Sequence, residues 1–174
     1  MGDSVRVYIP ATFGMLKELA DNGELTARSG WGFAVTPALL DFYTDGDEEE
    51  IAYSAFQDAA MSSLRLLAIG DEGHYPDRRV VISIDAPAEQ VELWPQMGEA
   101  VVKLAPAAFS LDQVACYHVD IEDNEAATRT AIDVIDEADL GNEDAELAVG
   151  DALDNFMAYY DPTELALLTE LLEP

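Results

Sequence analysis

The sequence predicts an α+β fold, a two-layer α/β sandwich in which a mixed sheet of about five strands carries helices mainly on one face. Three observations lead to this prediction. Short β-branched or alternating segments recur along the chain, amphipathic segments with capping residues lie between them, and a length of 174 residues suits one core. We therefore expect a single domain that covers residues 1–174.

Five segments have the alternation and the β-branched composition of strands. They comprise residues 5–9, 33–35, 80–84, 100–104 and 115–121. Apolar and polar residues alternate in several of them, which is typical of a sheet with one face on a core and one polar face.

The segments between the predicted strands begin at residues that cap helices. Thr12, Thr36, Asp47 and Asp123 each precede an amphipathic stretch. The helix after Asp47 is the longest, and we expect its stripe of apolar residues to pack in the core. That stripe consists of Tyr53, Phe56, Ala60, Leu64 and Leu67.

Residues 142–174 predict an acidic helical unit that docks on the domain. Its apolar residues recur at helical spacing, and Pro162 predicts a break between two helices, because a proline inside a helix costs ~3 kcal/mol. We expect Phe156 to be buried, so that Phe156→Ala costs about 3–5 kcal/mol of stability. The alternative is an exposed stripe that forms a dimer or partner groove, but a monomer is the expectation.

The charge of the chain limits its partners. It contains 36 Asp and Glu against 8 Lys and Arg, a formal net charge of −28, which argues against direct binding to nucleic acid or to an anionic membrane. No apolar run approaches the ~18 residues of a membrane span, and no signal peptide precedes the first strand. With Cys116 as the single cysteine, these features predict a cytoplasmic protein without a disulfide.

Motifs of common enzyme chemistry are absent from the sequence. It has no dinucleotide-binding glycine loop, no phosphate-binding loop, no Gly-x-Ser-x-Gly and no His-Glu-x-x-His. We therefore predict no cofactor and assign no catalytic residue. A metal centre on Cys116, His118 and Asp120 is not expected either, because residues i and i+4 of a strand lie ~13 Å apart.

Strand alternation points to one candidate site, the polar face of the predicted sheet. If the apolar residues of every strand face the helices, the polar residues share the opposite face. These polar residues are Arg6, Tyr8, Arg79, Ser83, Lys103, His118 and Asp120. They include three of only eight basic residues in a strongly acidic chain.

Two interpretations of this face remain open. In the first, the face is solvated and its charges pair within the sheet, Arg6 and Arg79 with Asp85 and Asp120. In the second, the two guanidinium groups hold an anionic group, and a histidine or tyrosine of the same face contributes a hydrogen bond or a proton.

Two segments carry a resemblance to a known family. They are residues 5–12 (VRVYIPAT) and residues 32–39 (GFAVTPAL), and weaker similarity extends over nearly the whole chain. The chain resembles an uncharacterised actinobacterial family of unknown function. The resemblance implies a cytoplasmic bacterial protein, and it implies no reaction, ligand or catalytic residue.

These observations leave two hypotheses for function. The first is a protein-interaction or regulatory module whose acidic surface binds a basic partner, although the acidity could equally serve solubility. The alternative is a small-molecule enzyme, a hydrolase or transferase, that acts on an anionic substrate at the polar sheet face. Whether the chain is an enzyme stays open at this point.

Overall fold

The computed structural model describes residues 3–27, 30–43, 46–70 and 75–171, and all structural statements refer to these ranges. The strands are β1 (Ser4–Ala11), β2 (Glu24–Thr26), β3 (Trp31–Phe33), β4 (Val80–Pro87), β5 (Val91–Leu93), β6 (Val101–Leu104), β7 (Ala108–Ser110), β8 (Val114–Asp120) and β9 (Met157–Tyr160). The helices are α1 (Phe13–Asn22), α2 (Pro37–Phe42), α3 (Glu48–Ile69), α4 (Glu125–Asp139), α5 (Glu143–Leu153) and α6 (Leu165–Leu171).

The main sheet has seven strands in the order β5-β6-β3-β1-β4-β8-β9, and β2 pairs with β7 in a separate two-stranded sheet. The α+β class is confirmed. The predicted number of about five strands is too small, because β5 has only three residues and β9 lies in a segment with the spacing of a helix. The strand pairings among the described residues are antiparallel, including the central β1–β4 ladder that extends from Ser4↔Pro87 to Ala11↔Val80.

Three of the four predicted helix starts are side-chain caps, whereas Asp123 is not, because it lies inside the 3₁₀ turn Glu122–Asn124 that precedes α4. The side chains of Thr12 and Thr36 accept hydrogen bonds from the backbone N–H three residues later, at 3.3 and 3.1 Å. Asp47 does the same at the start of α3, at 2.9 Å. Each cap satisfies a backbone donor that has no partner inside the helix.

One face of the main sheet is a dense apolar core under α1 and α6. Val7 and Ile9 of β1 and Ile82 of β4 are fully buried there, beside Leu16 of α1 and Leu168 of α6. These strand residues alternate with those of the opposite face, as predicted from the period of two.

The opposite face lies under α3, so helices cover both faces rather than mainly one. Ala55, Ala59 and Ala60 of α3 pack with Val81 of β4 in a second apolar cluster. Helices α4 and α5 pack on α3 around Leu64 and extend this layer to one side. The alanines permit a close approach of helix and sheet, which α3 uses over the middle of its length.

The C-terminal unit differs from its prediction as a pair of helices. Helix α5 ends at Leu153, and Met157–Tyr160 form the edge strand β9, which pairs with β8. The reason is a tertiary contact: Arg79 and Asn124 donate hydrogen bonds to the backbone carbonyls of Asn155 and Phe156, at 3.1 and 2.6 Å. These bonds hold a turn that leads the chain onto the sheet. The predicted break before Pro162 is present, since α6 begins after a capping box at residues 161–164.

None of the helices in the described part of the chain has both the length and the apolar composition of a membrane-crossing segment.

Candidate functional site

A cavity of about 720 Å³ lies between the first turns of α3 and the middle of the main sheet. The turn after α5 closes one side of it. Pockets that bind small organic molecules commonly have volumes of about 300–1,000 Å³. The cavity is therefore large enough for such a ligand.

The floor of the cavity is the sheet face that lies away from α1. Its lining residues are Arg6, Tyr8, Ser83, Cys116, His118 and Tyr159. Ser83 lies opposite both Tyr8 on β1 and Cys116 on β8. His118 lies opposite Tyr159 on β9. Four neighbouring strands thus bring these side chains together on one surface.

The roof consists of α3 residues from its first turns. They are Glu49, Ala52, Tyr53, Phe56 and Gln57. Tyr53 is 59% exposed and stands at the mouth of the cavity. The expectation of core packing is wrong for Tyr53, whereas Phe56 is half-buried and packs against the apolar cluster of Ala55, Ala59 and Ala60.

Aromatic rings connect the roof with the floor. The Phe56 ring centroid lies 5.9 Å from that of Tyr8 and 4.8 Å from that of His118, both in edge-to-face geometry. His118 makes a further edge-to-face contact with Tyr159 at 5.7 Å, and Tyr53 stacks on Phe56 at 6.2 Å. Such contacts each stabilise by about 0.5–1.5 kcal/mol. These ring contacts link α3 to β1 and β8, and β8 to β9.

The side wall of the cavity is the turn between α5 and β9. It contributes Leu153, Asp154, Asn155, Phe156 and Met157. Phe156 is 69% exposed and lies at the mouth of the cavity. The prediction that it is buried in a helix is therefore wrong.

A buried ion pair holds this wall in place. Arg79 is 1% exposed and donates to both carboxylate oxygens of Asp120, from Nε at 2.9 Å and from Nη2 at 2.7 Å. The Asp120 carboxylate also accepts hydrogen bonds from the Arg79 backbone, from Asn124 and from Thr128, at 2.8, 3.2 and 3.3 Å. Arg79 then donates to the carbonyl of Asn155 in the turn. These hydrogen bonds compensate the charge of the buried carboxylate. The ion pair also connects the start of β4 with β8, α4 and the turn.

A second arginine lies at the other end of the floor. Arg6 donates from Nε and Nη2 to the Asp85 carboxylate, at 2.7 and 3.3 Å. Its side chain is 49% exposed, so this pair contributes little to stability. The predicted pairing of both arginines is confirmed, but the face is covered by α3 rather than open to solvent.

Three polar side chains of the floor, Ser83, Cys116 and His118, make few or only weak hydrogen bonds. The hydroxyl of Ser83 is buried beside the Cys116 thiol and has no hydrogen-bond partner of regular geometry in the part of the chain that the structure describes. Burial raises the pKa of the Cys116 thiol, although the neighbouring Ser83 hydroxyl and the charge of Arg6 partly offset that rise. Burial lowers the pKa of His118, whose Nδ1 lies 3.9 Å from the Cys116 Sγ.

The protonation of these groups decides what chemistry they can do. At neutral pH the thiol keeps its proton and the imidazole stays neutral, so a thiolate–imidazolium pair is disfavoured. Within the described ranges, no three His, Cys, Asp or Glu side chains come together as metal ligands. The arrangement is suited to binding by hydrogen bonds and ring contacts.

A family model matches residues 5–169, a range that includes every residue lining the cavity. The chain belongs to a family of unknown function, DUF6912. The resemblance to an uncharacterised family is thereby confirmed. No curated protein and no solved structure matches the chain.

In this DUF6912 chain, most of the sequence-predicted site residues meet at the cavity. Arg6, Tyr8, Arg79, Ser83 and His118 all line it. Their convergence follows from the alternation along three adjacent strands, which the sequence pattern displays directly.

Two predicted residues lie outside the cavity. Asp120 is 1% exposed and lies behind Arg79. Lys103 is on the same sheet face, but its register partner is Trp31, and β3 separates β6 from β1. Its ammonium lies 5.6 Å from the ring centre of Trp94, away from the cavity. Strand order decides this placement, and strand order was not predicted.

Several lining residues were not predicted as site residues. Tyr53 and Phe56 matched a helical core stripe, and Phe156 and Tyr159 lie in a segment predicted as helix. Cys116 shares the face of His118, and its place two residues away is the one signal that indicates it.

Proposed function

We propose that the protein binds a small organic molecule with an aromatic or other flat apolar part in the cavity under α3. One observation carries this proposal: aromatic rings line the roof and mouth of the cavity, while hydrogen-bonding groups converge on its floor. Sites for small molecules have this composition, with mostly apolar walls and a few placed polar groups.

The exposure of the rings at the mouth supports the proposal. Tyr53, Phe156 and Tyr159 are each 59–69% exposed and border the same opening. Grouped apolar side chains in water mark binding sites more often than isolated ones do. A flat ligand that enters the cavity would cover these rings.

The protonation of the floor favours binding over nucleophilic catalysis. The Cys116 thiol has a raised pKa, so it is a weak nucleophile at neutral pH. His118 has no hydrogen-bonded carboxylate among the described residues to orient it as a general base. We therefore propose binding as the function, and the hydrolase or transferase hypothesis stays a prediction.

The test is a calorimetric titration with naphthalene derivatives on the wild type and on two exposed-phenylalanine variants. Phe156→Ala removes a ring from the mouth, and Phe42→Ala removes a ring that is 63% exposed and does not line the cavity. We expect saturable binding that Phe156→Ala weakens severalfold and Phe42→Ala leaves unchanged. The proposal fails if no derivative binds, or if both variants change the affinity equally.

The acidic-partner hypothesis remains a second proposal, supported by the charge of two helices. The exposed faces of α4 and α5 carry acidic residues, and Arg129 is the only basic residue in either helix. Such a surface attracts basic partners at low ionic strength, over a screening length of ~10 Å at 0.1 M salt. Capture of a basic protein that 1 M salt releases is the expected result, and capture that salt does not affect contradicts the hypothesis.

We also propose a reducing, cytoplasmic location. The single cysteine, which is buried as a free thiol, supports it. The actinobacterial source implied by the resemblance stays a prediction.

A further inference from the structure

We propose that the ligand of this cavity carries an anionic head group of the carboxylate class, which binds on the floor at Arg6, Tyr8 and Ser83. This inference rests on the proposed function and adds the charge and the orientation of the ligand.

The first support is the distribution of charge. Among the described residues, Arg6 and Arg79 line the cavity beside two acids, Glu49 and Asp154, in a chain that has 36 Asp and Glu against 8 Lys and Arg. The cavity is thus enriched in cations and depleted in acids relative to the rest of the molecule. A carboxylate that moves from the strongly negative surface into the cavity therefore comes close to guanidinium groups.

The second support is that the floor presents mainly donors. Asp85 takes two of the five N–H groups of the Arg6 guanidinium, which leaves the others for a ligand. Burial raises the pKa of the Tyr8 phenol, so the hydroxyl keeps its proton at neutral pH. A guanidinium group that only donates, beside two hydroxyl groups that can donate, matches a ligand group that only accepts, as an ionised carboxylate does.

The third support is the Ser83 hydroxyl itself. It is buried at the centre of the floor, opposite Tyr8, and has no regular hydrogen-bond partner. A buried hydroxyl without a partner costs stability, so a molecule that accepts its hydrogen bond is favoured at this position. Ser83 and Arg6 lie diagonally across the β1–β4 ladder, where such neighbours are typically ~7–8 Å apart along the sheet. One carboxylate can accept hydrogen bonds from both side chains at this separation.

The orientation of the ligand follows from the positions of these groups. The donors lie on the floor, while Phe56, Tyr53 and Phe156 lie at the roof and mouth. The anionic end therefore points to the sheet, and the flat apolar part extends between the rings toward solvent. The Nε and Nη2 groups of Arg79 donate to Asp120 and Asn155, and we therefore assign Arg79 to positioning the side wall.

The experiment compares three probes of similar shape by calorimetry at neutral pH: 2-naphthoate, neutral 2-naphthol, and a naphthyl trimethylammonium cation. We expect 2-naphthoate to bind about tenfold more tightly than 2-naphthol, the value of one charge-assisted hydrogen bond. The cation should bind most weakly. If no probe binds, the proposed function fails and this inference with it. Equal affinities, or a preference for the cation, overturn the anionic assignment alone.

Four variants locate the head group. Arg6→Gln should lower the affinity for 2-naphthoate about tenfold and leave 2-naphthol unchanged. Asp85→Asn should raise the affinity for 2-naphthoate, because it removes the competing carboxylate from Arg6. Ser83→Ala should lower it about fivefold. The matched control is Arg65→Gln, which breaks an arginine–aspartate pair of the same exposure outside the cavity, 47% and 44% against 49% and 43%.

These variants also separate binding from folding. The side chains of Arg6 and Asp85 are about half exposed, so both variants should keep the thermal midpoint of the wild type. The decisive pattern is an opposite change in affinity for Arg6→Gln and Asp85→Asn. Equal effects of Arg6→Gln and Arg65→Gln contradict the inference.

Discussion

The two faces of the main sheet use the same strands for different purposes. On the α1 side, Val7 of β1 and Ile82 of β4 are fully buried in a dense apolar core. One residue further along each strand, Tyr8 and Ser83 line the cavity under α3. A single step along the chain therefore changes the environment from close packing to an open binding surface.

Stability and ligand binding depend on opposite faces of the main sheet. Burial of apolar area on the α1 side gives roughly 25 cal/mol per Å², whereas the polar groups of the cavity floor contribute little to folding. Substitutions on the dense face should therefore change stability without changing affinity. Substitutions on the floor should do the reverse, and the ion pair of Arg79 and Asp120 should affect both.

The largest effect is expected for Asp120→Ala. The variant leaves the Arg79 guanidinium buried without its partner, and breaking a buried pair in this way costs about 3–5 kcal/mol. Chemical denaturation followed by circular dichroism measures the loss. Asp139→Ala is the control, because it breaks the exposed pair with Arg65 and should change stability little. Similar losses in the two variants would show that the buried pair is not special.

The next largest effect is expected for Ile82→Ala on the dense face. Removal of a fully buried isoleucine side chain costs about 2–5 kcal/mol, because the cavity it leaves collapses incompletely. Affinity for 2-naphthoate, measured where the variant is folded, should stay at the wild-type value. A fall in affinity together with stability would show that the two faces are coupled.

The cavity floor was the most predictable part of the site. Alternation along three segments placed Arg6, Tyr8, Ser83 and His118 on one face, because the period of two is a local property of any strand. A bulge in the β4–β8 ladder between Ser83 and Ile84 alters this alternation near Ala115, beyond the residues of the floor.

The roof and the wall depend on tertiary structure, which the sequence pattern does not contain. Phe56 has the helical spacing of a core residue, and nothing local shows how far α3 stands from the sheet. The segment that holds Phe156 and Tyr159 keeps a helical period, but hydrogen bonds from Arg79 and Asn124 turn it into a strand. Lys103 was misplaced for a related reason, since strand order is a long-range property.

Two buried serines sharpen the comparison of the faces. Ser63 of α3 donates to the carbonyl of Ala11 at 2.7 Å and accepts from the N–H of Val80 at 2.9 Å. Ser63→Ala removes both of these bonds from buried backbone groups and should cost about 1–3 kcal/mol. Ser83→Ala removes a hydroxyl that has no such partner, so stability should be unchanged or rise by up to about 1 kcal/mol.

The same denaturation experiment, run on both serine variants, checks the pair. Destabilisation by Ser83→Ala as large as that by Ser63→Ala would mean that the Ser83 hydroxyl is bonded within the empty protein. The hydroxyl would then not be available to a ligand, and Ser83 would have to be removed from the proposed binding site for the anionic group.

The smallest effect on stability is expected for Phe156→Ala, where the sequence predicts a loss of about 3–5 kcal/mol from a buried helix position. Because Phe156 is 69% exposed at the cavity mouth, the ring loses little contact area on truncation, and the change should stay within about 0.5 kcal/mol. Urea denaturation measures it, with the equally exposed Phe42→Ala as the reference. A loss of several kcal/mol would show that the Phe156 ring is buried in the core and does not border the cavity. An unchanged denaturation midpoint together with weaker 2-naphthoate binding would show that the ring contacts the ligand and contributes little to folding.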